Sequence, residues 1–265
     1  QHAAEAALEI DEGAESSDGK RPLAPSAYFA RLTQRLIAAM TAPMREGILY
    51  DVDFRLRPSG NKGPLATELG AFRRYQEGEA WTWERMALTR ARIVAGDPDF
   101  AGEVAETIRV ILAEPREVEQ TTKDVAAMRQ RIEAGKPPRG PLDLKLLPGG
   151  LIDLEFLAQW ALLTQNADLG LCGAPSEAVL AAADFGPAAD GKALARAMNR
   201  FTRIVQLLRL GPADVRTIAA VPVGLSRAIA RAVDLDDPEK VEAWLAAETE
   251  RVRAAFTNVL GAPPA

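Results

Sequence analysis

Tyr50-Asp51-Val52-Asp53-Phe54-Arg55-Leu56-Arg57 alternates without a break between apolar and charged residues. Side chains on a strand point to opposite faces with a period of two. The alternation predicts a strand over residues 48–57. Tyr50, Val52, Phe54 and Leu56 fall on one face, and Asp51, Asp53, Arg55 and Arg57 on the other. Same-face neighbours lie roughly 7 Å apart, about two rises. Two carboxylates at that spacing repel unless a cation joins them. A divalent ion between Asp51 and Asp53, with Arg55 and Arg57 farther along, would cradle a metal-bound polyphosphate. The next loop, Pro58-Ser59-Gly60-Asn61-Lys62-Gly63-Pro64, offers backbone N–H groups and the Lys62 cation to the same anion. A solvated strand face of alternating charge accounts for the pattern equally well, because a lone Asp-x-Asp is common by chance.

Outward from this segment the period changes to that of a helix. Upstream, Tyr28, Phe29, Leu32, Leu36, Ile37 and Met40 recur at helical spacing behind Ser26, and Thr41-Ala42-Pro43 ends the helix. Residues 1–10 are Ala/Glu-rich and read as a helical turn or two, and residues 11–25 as a polar loop. Downstream, Leu65 and Ala66 suggest a short extended piece. One or two helices then run from Leu69 to about Ile93, followed by helices over 100–113, 118–134, 151–165, 194–210, 223–233 and 241–260. Gly135-Lys136-Pro137-Pro138-Arg139-Gly140-Pro141 is a loop. The predicted organisation is a small α/β portion, 1–97, and a helical bundle, 98–265, with the boundary near Gly96 to Pro98. No fixed-length repeat is present.

Composition narrows the chemistry. The 265 residues carry a formal net charge of −5, which argues against non-specific binding to nucleic acid. One cysteine, Cys172, allows no internal disulfide and no thiolate cluster, and fits a reducing cytoplasm. The one histidine, His2, makes a zinc site of histidines or a Ser-His-Asp triad improbable. Any metal is then expected to be a hard ion held by carboxylates. No apolar run approaches the roughly 20 residues that span a bilayer, and no basic-then-apolar leader opens the chain, so no membrane role is expected.

Three longer blocks resemble the glutamine synthetase adenylyltransferases. The first is Tyr50-Asp51-Val52-Asp53-Phe54-Arg55-Leu56-Arg57-Pro58-Ser59-Gly60. The second is Tyr75-Gln76-Glu77-Gly78-Glu79-Ala80-Trp81-Thr82-Trp83-Glu84 with Ala87-Leu88-Thr89-Arg90-Ala91-Arg92. The third is Asp143-Leu144-Lys145 running into Gly149-Gly150-Leu151-Ile152-Asp153-Leu154-Glu155-Phe156, which also resembles the uridylyltransferases of PII proteins. The blocks come in family order and span roughly Tyr28 to Trp160.

The resemblance implies an α+β chain: the C-terminal portion of a nucleotidyltransferase domain, DNA polymerase β-like, followed by an all-helical bundle. It implies transfer of AMP from ATP to a tyrosine of glutamine synthetase, with Mg²⁺, in nitrogen regulation. PII signal protein and glutamine are the implied partner and effector. The strings Asp-Val-Asp and Ala-Trp-Thr-Trp are similar to the adenylylating half of these two-part enzymes, not the half that removes AMP by phosphorolysis. Asp53 matches a metal-binding carboxylate, and Asp51 lies beside it. Arg55, Arg57, Ser59, Gly60 and Lys62 are the implied phosphate-binding group. Asp153 and Glu155 are candidates for a site or an interface, although acids are favoured in a first helical turn anyway. The family's first two catalytic aspartates, in a Gly-Ser-x-x-Asp-x-Asp turn, have no counterpart. Ser16-Ser17-Asp18-Gly19 has the wrong context, and Glu9-Ile10-Asp11 at best follows such a turn. The chain is therefore not expected to catalyse alone. A noncatalytic helical module that docks glutamine synthetase or PII protein is the reading from a different class.

Three smaller expectations complete the reading. Trp81, Trp83 and Trp160 are expected in cores. Glu84 and Arg85 either pair across the domain junction or sit in solvent. Gly149-Gly150 either binds an anion through its N–H groups or turns the chain into the next helix.

Overall fold

A computed structural model of the chain describes residues 7–8, 16–17 and 20–261. Among the described residues there are ten α-helices and four two-residue strands, a mostly helical fold compatible with the α+β class. The chain divides into two compact units, 1–114 and 115–265. The sequence places the boundary near Gly96 to Pro98, so the two divisions differ by one helix, that of residues 98–113.

In the first unit, β1 (Ala7–Leu8) pairs in parallel with β4 (Thr67–Glu68), and β2 (Pro43–Met44) pairs antiparallel with β3 (Gly47–Ile48). The described part of the expected N-terminal helix, Ala7–Leu8, is thus a strand; the rest of residues 1–10, the candidate turn at Glu9-Ile10-Asp11, His2 and the Asp18-Gly19 pair lie outside the described residues. The extended piece expected at Leu65 and Ala66 is β4, two residues on. Helix α1 (Pro25–Thr41) forms as its spacing predicts. Helices α2 (Leu69–Gly78), α3 (Thr82–Leu88) and α4 (Pro98–Ala113) follow. Asp97 caps α4, accepting from the backbone N–H groups of Asp99 and Phe100, with Pro98 in the first turn where a missing N–H costs nothing. Leu69 of α2, Met86 of α3 and Val104, Ile108, Ile111 and Leu112 of α4 form the unit's buried apolar set.

The second unit is helical throughout its described residues: α5 (Val118–Gly135), α6 (Leu151–Leu163), α7 (Ser176–Ala182), α8 (Gly191–Leu208), α9 (Val223–Ala232) and α10 (Val241–Leu260). Helix α7 is not among the sequence expectations. Its seven residues bury Ser176, Val179 and Leu180, too few positions to establish a helical period. Helix α6 is the axis. It packs against α5, α7, α8 and α10, and Leu154, Leu157, Ala161, Leu162 and Leu163 are almost wholly buried. A helix apolar on all sides belongs in a core. Trp160 is buried as expected. It stacks on Phe185 and donates its indole N–H to Thr122 Oγ1 at 2.9 Å.

One buried ion network crosses this core. Asp153 of α6 is 0 % exposed and Arg129 of α5 is 1 % exposed. Arg129 Nε donates to Asp153 Oδ1. Asp153 Oδ2 accepts from Arg253 Nη1 of α10 at 2.9 Å and from the Gly149 N–H at 2.8 Å. Glu133 lies 2.9 Å from Arg253 Nη1 and 3.3 Å from Arg129 Nη2. Arg129 Nη2 also donates to the carbonyls of Leu146 and Leu147, at 3.3 and 3.2 Å. Three helices and the 136–150 loop meet at one carboxylate.

The glycine pair is required by this junction. Gly149 has φ +76°, and a Cβ there would sit 1.8 Å from the Thr249 carbonyl oxygen of α10. A Cβ on Gly150 would sit 2.3 Å from the Leu144 carbonyl oxygen. The Gly149 N–H is taken by Asp153 and the Gly150 N–H by the Leu147 carbonyl, at 2.8 Å each. Of the two expectations, the turn into the helix is the one observed.

Replacing Asp153 by Asn leaves two guanidinium groups facing a neutral amide in a dry site. The expected loss is about 3–5 kcal/mol, the cost of removing one partner from a buried pair. Chemical denaturation of Asp153→Asn checks it, and an unchanged midpoint would remove the network from its structural role.

Candidate active site

Residues 50–57 do not pair into a strand with any other segment among the described residues. This corrects the expectation from alternation, and the reason is physical. A strand exists only where its backbone groups meet a neighbouring strand, and the sheets of the described residues involve other segments. The Tyr50 N–H is held by the Met40 carbonyl at 3.1 Å, and the chain then runs irregularly to the loop. The two faces separate only in part. Tyr50 and Asp51 are exposed, Val52, Asp53, Phe54 and Leu56 are half-buried, Arg55 is exposed and Arg57 is buried.

The four charged residues thus fall into different settings. Asp53 and Arg55 form a forked pair. Arg55 Nε lies 2.9 Å from Asp53 Oδ1, Arg55 Nη2 lies 2.5 Å from Oδ2, and the Arg55 backbone N–H adds a bond to Oδ1 at 3.0 Å. Hydrogen bonding to Asp53, then its charge, hold the Arg55 guanidinium above its usual range. Arg57 turns inward. Its Nη1 donates to the Phe54 carbonyl at 2.7 Å and its Nε to the Gly63 carbonyl at 3.3 Å. The guanidinium therefore clamps the two ends of the 58–63 loop. Asp51 and Lys62 are exposed.

The loop itself is tightly wound. Ser59 has φ +61° and Gly60 φ +53°, both left-handed. A Cβ on Gly63 would sit 1.9 Å from the Pro58 carbonyl oxygen, so only glycine fits there. The N–H groups of Gly60, Lys62 and Gly63 donate to the carbonyls of Arg57, Ser59 and Gly60 at 2.8, 3.1 and 3.1 Å. They close the loop's own turns; the sequence expectation offered them to an anion.

The second sequence block closes over this loop. Tyr75 of α2 donates its hydroxyl to Glu84 of α3, at 2.9 Å from Oε1 and 3.1 Å from Oε2. Glu84 also accepts the Trp81 backbone N–H at 2.9 Å, reaching back to cap its own helix. Arg85 Nη2 donates to the Gln76 carbonyl at 2.6 Å. Glu84 and Arg85 thus each fasten the α2–α3 corner, a third arrangement beside the two expected. Glu84 three residues into α3 is the signal that a capping search finds; its link to Tyr75 has no sequence signal. Trp81 and Trp83 are exposed, at 71 % and 36 %, which corrects their assignment to the core. They flank a helix start, where side chains point outward.

Asp153 and Glu155 lie in the second unit. Asp153 is consumed by the buried network, and Glu155 is half-buried on α6. Cys172 is half-buried, and burial, with the Asp168 charge, pushes its thiol up, away from the reactive thiolate. Among the described residues no group of three His, Cys, Asp or Glu side chains is placed to hold a metal ion. No helix among them is long and apolar enough to cross a membrane.

Tyr75 supplies a pH test. Burial, followed by the Glu84 hydrogen bond and charge, raises its phenol above the ordinary value near 10, with the Ser59 backbone opposing. A raised pKa in the folded state means stability that is complete below the unfolded value and fades as pH rises through the folded one. One phenol should therefore titrate late by ultraviolet absorbance and be missing in Tyr75→Phe. That variant, leaving buried Glu84 short of a donor, should lose about 1–2 kcal/mol at neutral pH.

Residues 8–107 match the family model described as glutamate-ammonia ligase adenylyltransferase. The chain is 47 % identical over 253 residues to the bifunctional glutamine synthetase adenylyltransferase/adenylyl-removing enzyme of Brucella suis biovar 1 (strain 1330), covering 95 % of this chain and 26 % of the relative. The enzymes of that name from Rhizobium meliloti (strain 1021) and Mesorhizobium japonicum (strain LMG 29417 / CECT 9101 / MAFF 303099) are 45 % and 44 % identical over 263 and 254 residues, covering 96 % and 95 % of this chain and 26 % of each relative. The chain thus spans about a quarter of the length of the curated relatives it matches. The arrangement built from the first two sequence blocks lies within the matched region, and the chain belongs to the glutamate-ammonia ligase adenylyltransferase family.

Proposed function

We propose that this chain is part of the adenylylating half of a bifunctional enzyme that transfers AMP from ATP to a tyrosine of glutamine synthetase. One observation carries the reading: Asp51 and the Asp53–Arg55 pair stand at the surface beside a loop that Arg57 clamps shut. Exposed ion pairs contribute little and exchange readily. Asp53 is thus a carboxylate that can be released to a cation, and Arg55 a guanidinium that can be released to a phosphate. Arg forks and phosphate oxygens match in geometry. The relatives' name supports the AMP chemistry and the synthetase as its target.

The donor set fits Mg²⁺ as part of a site. Mg²⁺ takes one or two carboxylates together with phosphate oxygens. Asp53 would hold it, with Asp51 beside it, and the ion when bound would neutralise phosphate charge and favour attack at phosphorus. The chain's own contribution is positioning. Arg57 and the Tyr75–Glu84 corner hold the loop, so that Arg55, Ser59, Gly60 and Lys62 face one anion from fixed backbone. The first residues, 1–97, would be the C-terminal portion of a nucleotidyltransferase domain, DNA polymerase β-like, and residues 98–265 a helical domain of the same enzyme. PII protein and glutamine would regulate it in the cytoplasm. A noncatalytic docking module is the second reading, favoured by the lack of a three-carboxylate cluster among the described residues.

The test uses the full bifunctional enzyme carrying Asp53→Asn. Both reactions are assayed on glutamine synthetase with labelled ATP and with the adenylylated substrate. AMP transfer should fall by about 100-fold or more, while adenylyl removal persists. Loss of removal with transfer intact would assign the chain to the other half. Both reactions at wild-type rates would leave the docking module.

A further inference from the structure

The third sequence block, Asp143-Leu144-Lys145, takes no part in the proposed reaction, and it stands between two adjoining cavities of the second unit. The first, about 550 Å³, has four cationic walls, Arg131, Lys136, Arg139 and Lys145, against one carboxylate, Asp143. The second, about 420 Å³, shares Arg139, Asp143 and Lys145 and adds Arg209 and Arg216 with Asp214. Six cations thus face two carboxylates, in a chain whose net charge is −5.

Both carboxylates are already engaged, and by the same cation. Arg139 Nη1 lies 2.9 Å from Asp214 Oδ1, and Arg139 Nε lies 3.6 Å from Asp143 Oδ2, which also accepts the Arg139 backbone N–H at 3.2 Å. Arg131, Lys136, Lys145, Arg209 and Arg216 make no ion pair among the described residues. Unneutralised like charges gathered on one concave surface repel one another and favour a multiply charged anion. The backbone does not supply the attraction. The N–H groups of Gly149, Gly150 and Leu151, which would serve an anion at the start of α6, are bonded to Asp153, Leu147 and Leu144.

We infer that this pair of cavities binds a small phosphate-bearing organic anion, held by Arg131 and Lys145 and seated on the apolar side chains of Ile132, Leu146 and Ile152. Each cavity is of the size of small-molecule sites, roughly 300–1,000 Å³. A phosphate ester brings about −1.5 to −2 charges at neutral pH, which answers several cations at once where a single carboxylate answers one. The apolar wall lies in the first cavity, so the organic part enters there. Lys145 lines both cavities and is the cation common to any pose. The buried network holds the site open from below: Arg129 bonds the Leu146 and Leu147 carbonyls, and thereby fixes the loop that carries Lys145.

The 265-residue chain is titrated calorimetrically with ADP and with inorganic pyrophosphate, at low and at physiological ionic strength. Saturable binding of both is expected, ADP the tighter. The double variant Arg131→Ala/Lys145→Ala should weaken both by about tenfold or more. Its melting temperature should stay unchanged, because both side chains are exposed and unpaired among the described residues. Asp53→Asn and Arg55→Ala should leave the affinities as they are, which separates this site from the one proposed above. Failure of either ligand to saturate, or binding that the double variant leaves intact, overturns the inference. Pyrophosphate binding as tightly as ADP overturns the role of the apolar wall. Saturable binding of poly-glutamate by a surface that ignores ADP overturns the ligand class and makes this a protein-docking face.

Discussion

The second unit is organised around a carboxylate that water cannot reach. Desolvating Asp153 is tolerable only because two guanidinium groups and one backbone N–H saturate its oxygens. Each of those donors comes from a different part of the chain: α5, α10 and the loop before α6. Satisfying this one side chain therefore fixes the relative positions of three helices. It also fixes the loop, since Arg129 reaches past Asp153 to two loop carbonyls. The glycine pair follows from the same constraint. The Gly149 N–H can approach Asp153 only if the backbone passes close to α10, at a distance that leaves no room for a Cβ.

The first unit solves a smaller version of the same problem. Glu84 is 7 % exposed, and its oxygens are met by the Tyr75 hydroxyl and the Trp81 N–H. Arg57 is 8 % exposed, and its donors are met by two carbonyls of its own loop. In each case a charged residue of a sequence block stabilises backbone geometry by hydrogen bonding inward. The residues left facing out, Asp51, Asp53, Arg55 and Lys62, then stand on a frame that is already rigid. Preorganised charge of this kind is what phosphoryl-transfer chemistry needs from a protein, because positioning and electrostatic stabilisation supply most of the rate.

Charge type alone did not sort these residues. Arg55 and Arg57 are two positions apart, and alternation places them on one face. One is exposed and paired with a carboxylate, and the other is buried and bonded to carbonyls. The difference arises because the segment leaves the extended path after Phe54 and enters a loop with two left-handed residues. A period of two carries information only while the backbone remains a strand. Asp153 shows the same limit in a helix. Its place in the first turn suits the helix dipole, yet burial and the two arginines govern its environment.

Sequence alone determined the helices whose apolar positions recur over three or more turns: α1, α4, α5, α6, α8 and α10 all lie where their spacing predicts. Their hydrogen bonds run between residues four apart, so the information that specifies them is local. The family was legible for a related reason: contiguous blocks carry it. Tertiary structure decided the rest. The strand expected over 48–57 needed a partner segment that the described residues do not offer, and α7 needed neighbours to bury its two apolar side chains. The ion network joins residues 24, 100 and 120 positions apart. No local pattern announces such pairings, because their free energy exists only once the core has closed around them and water is gone.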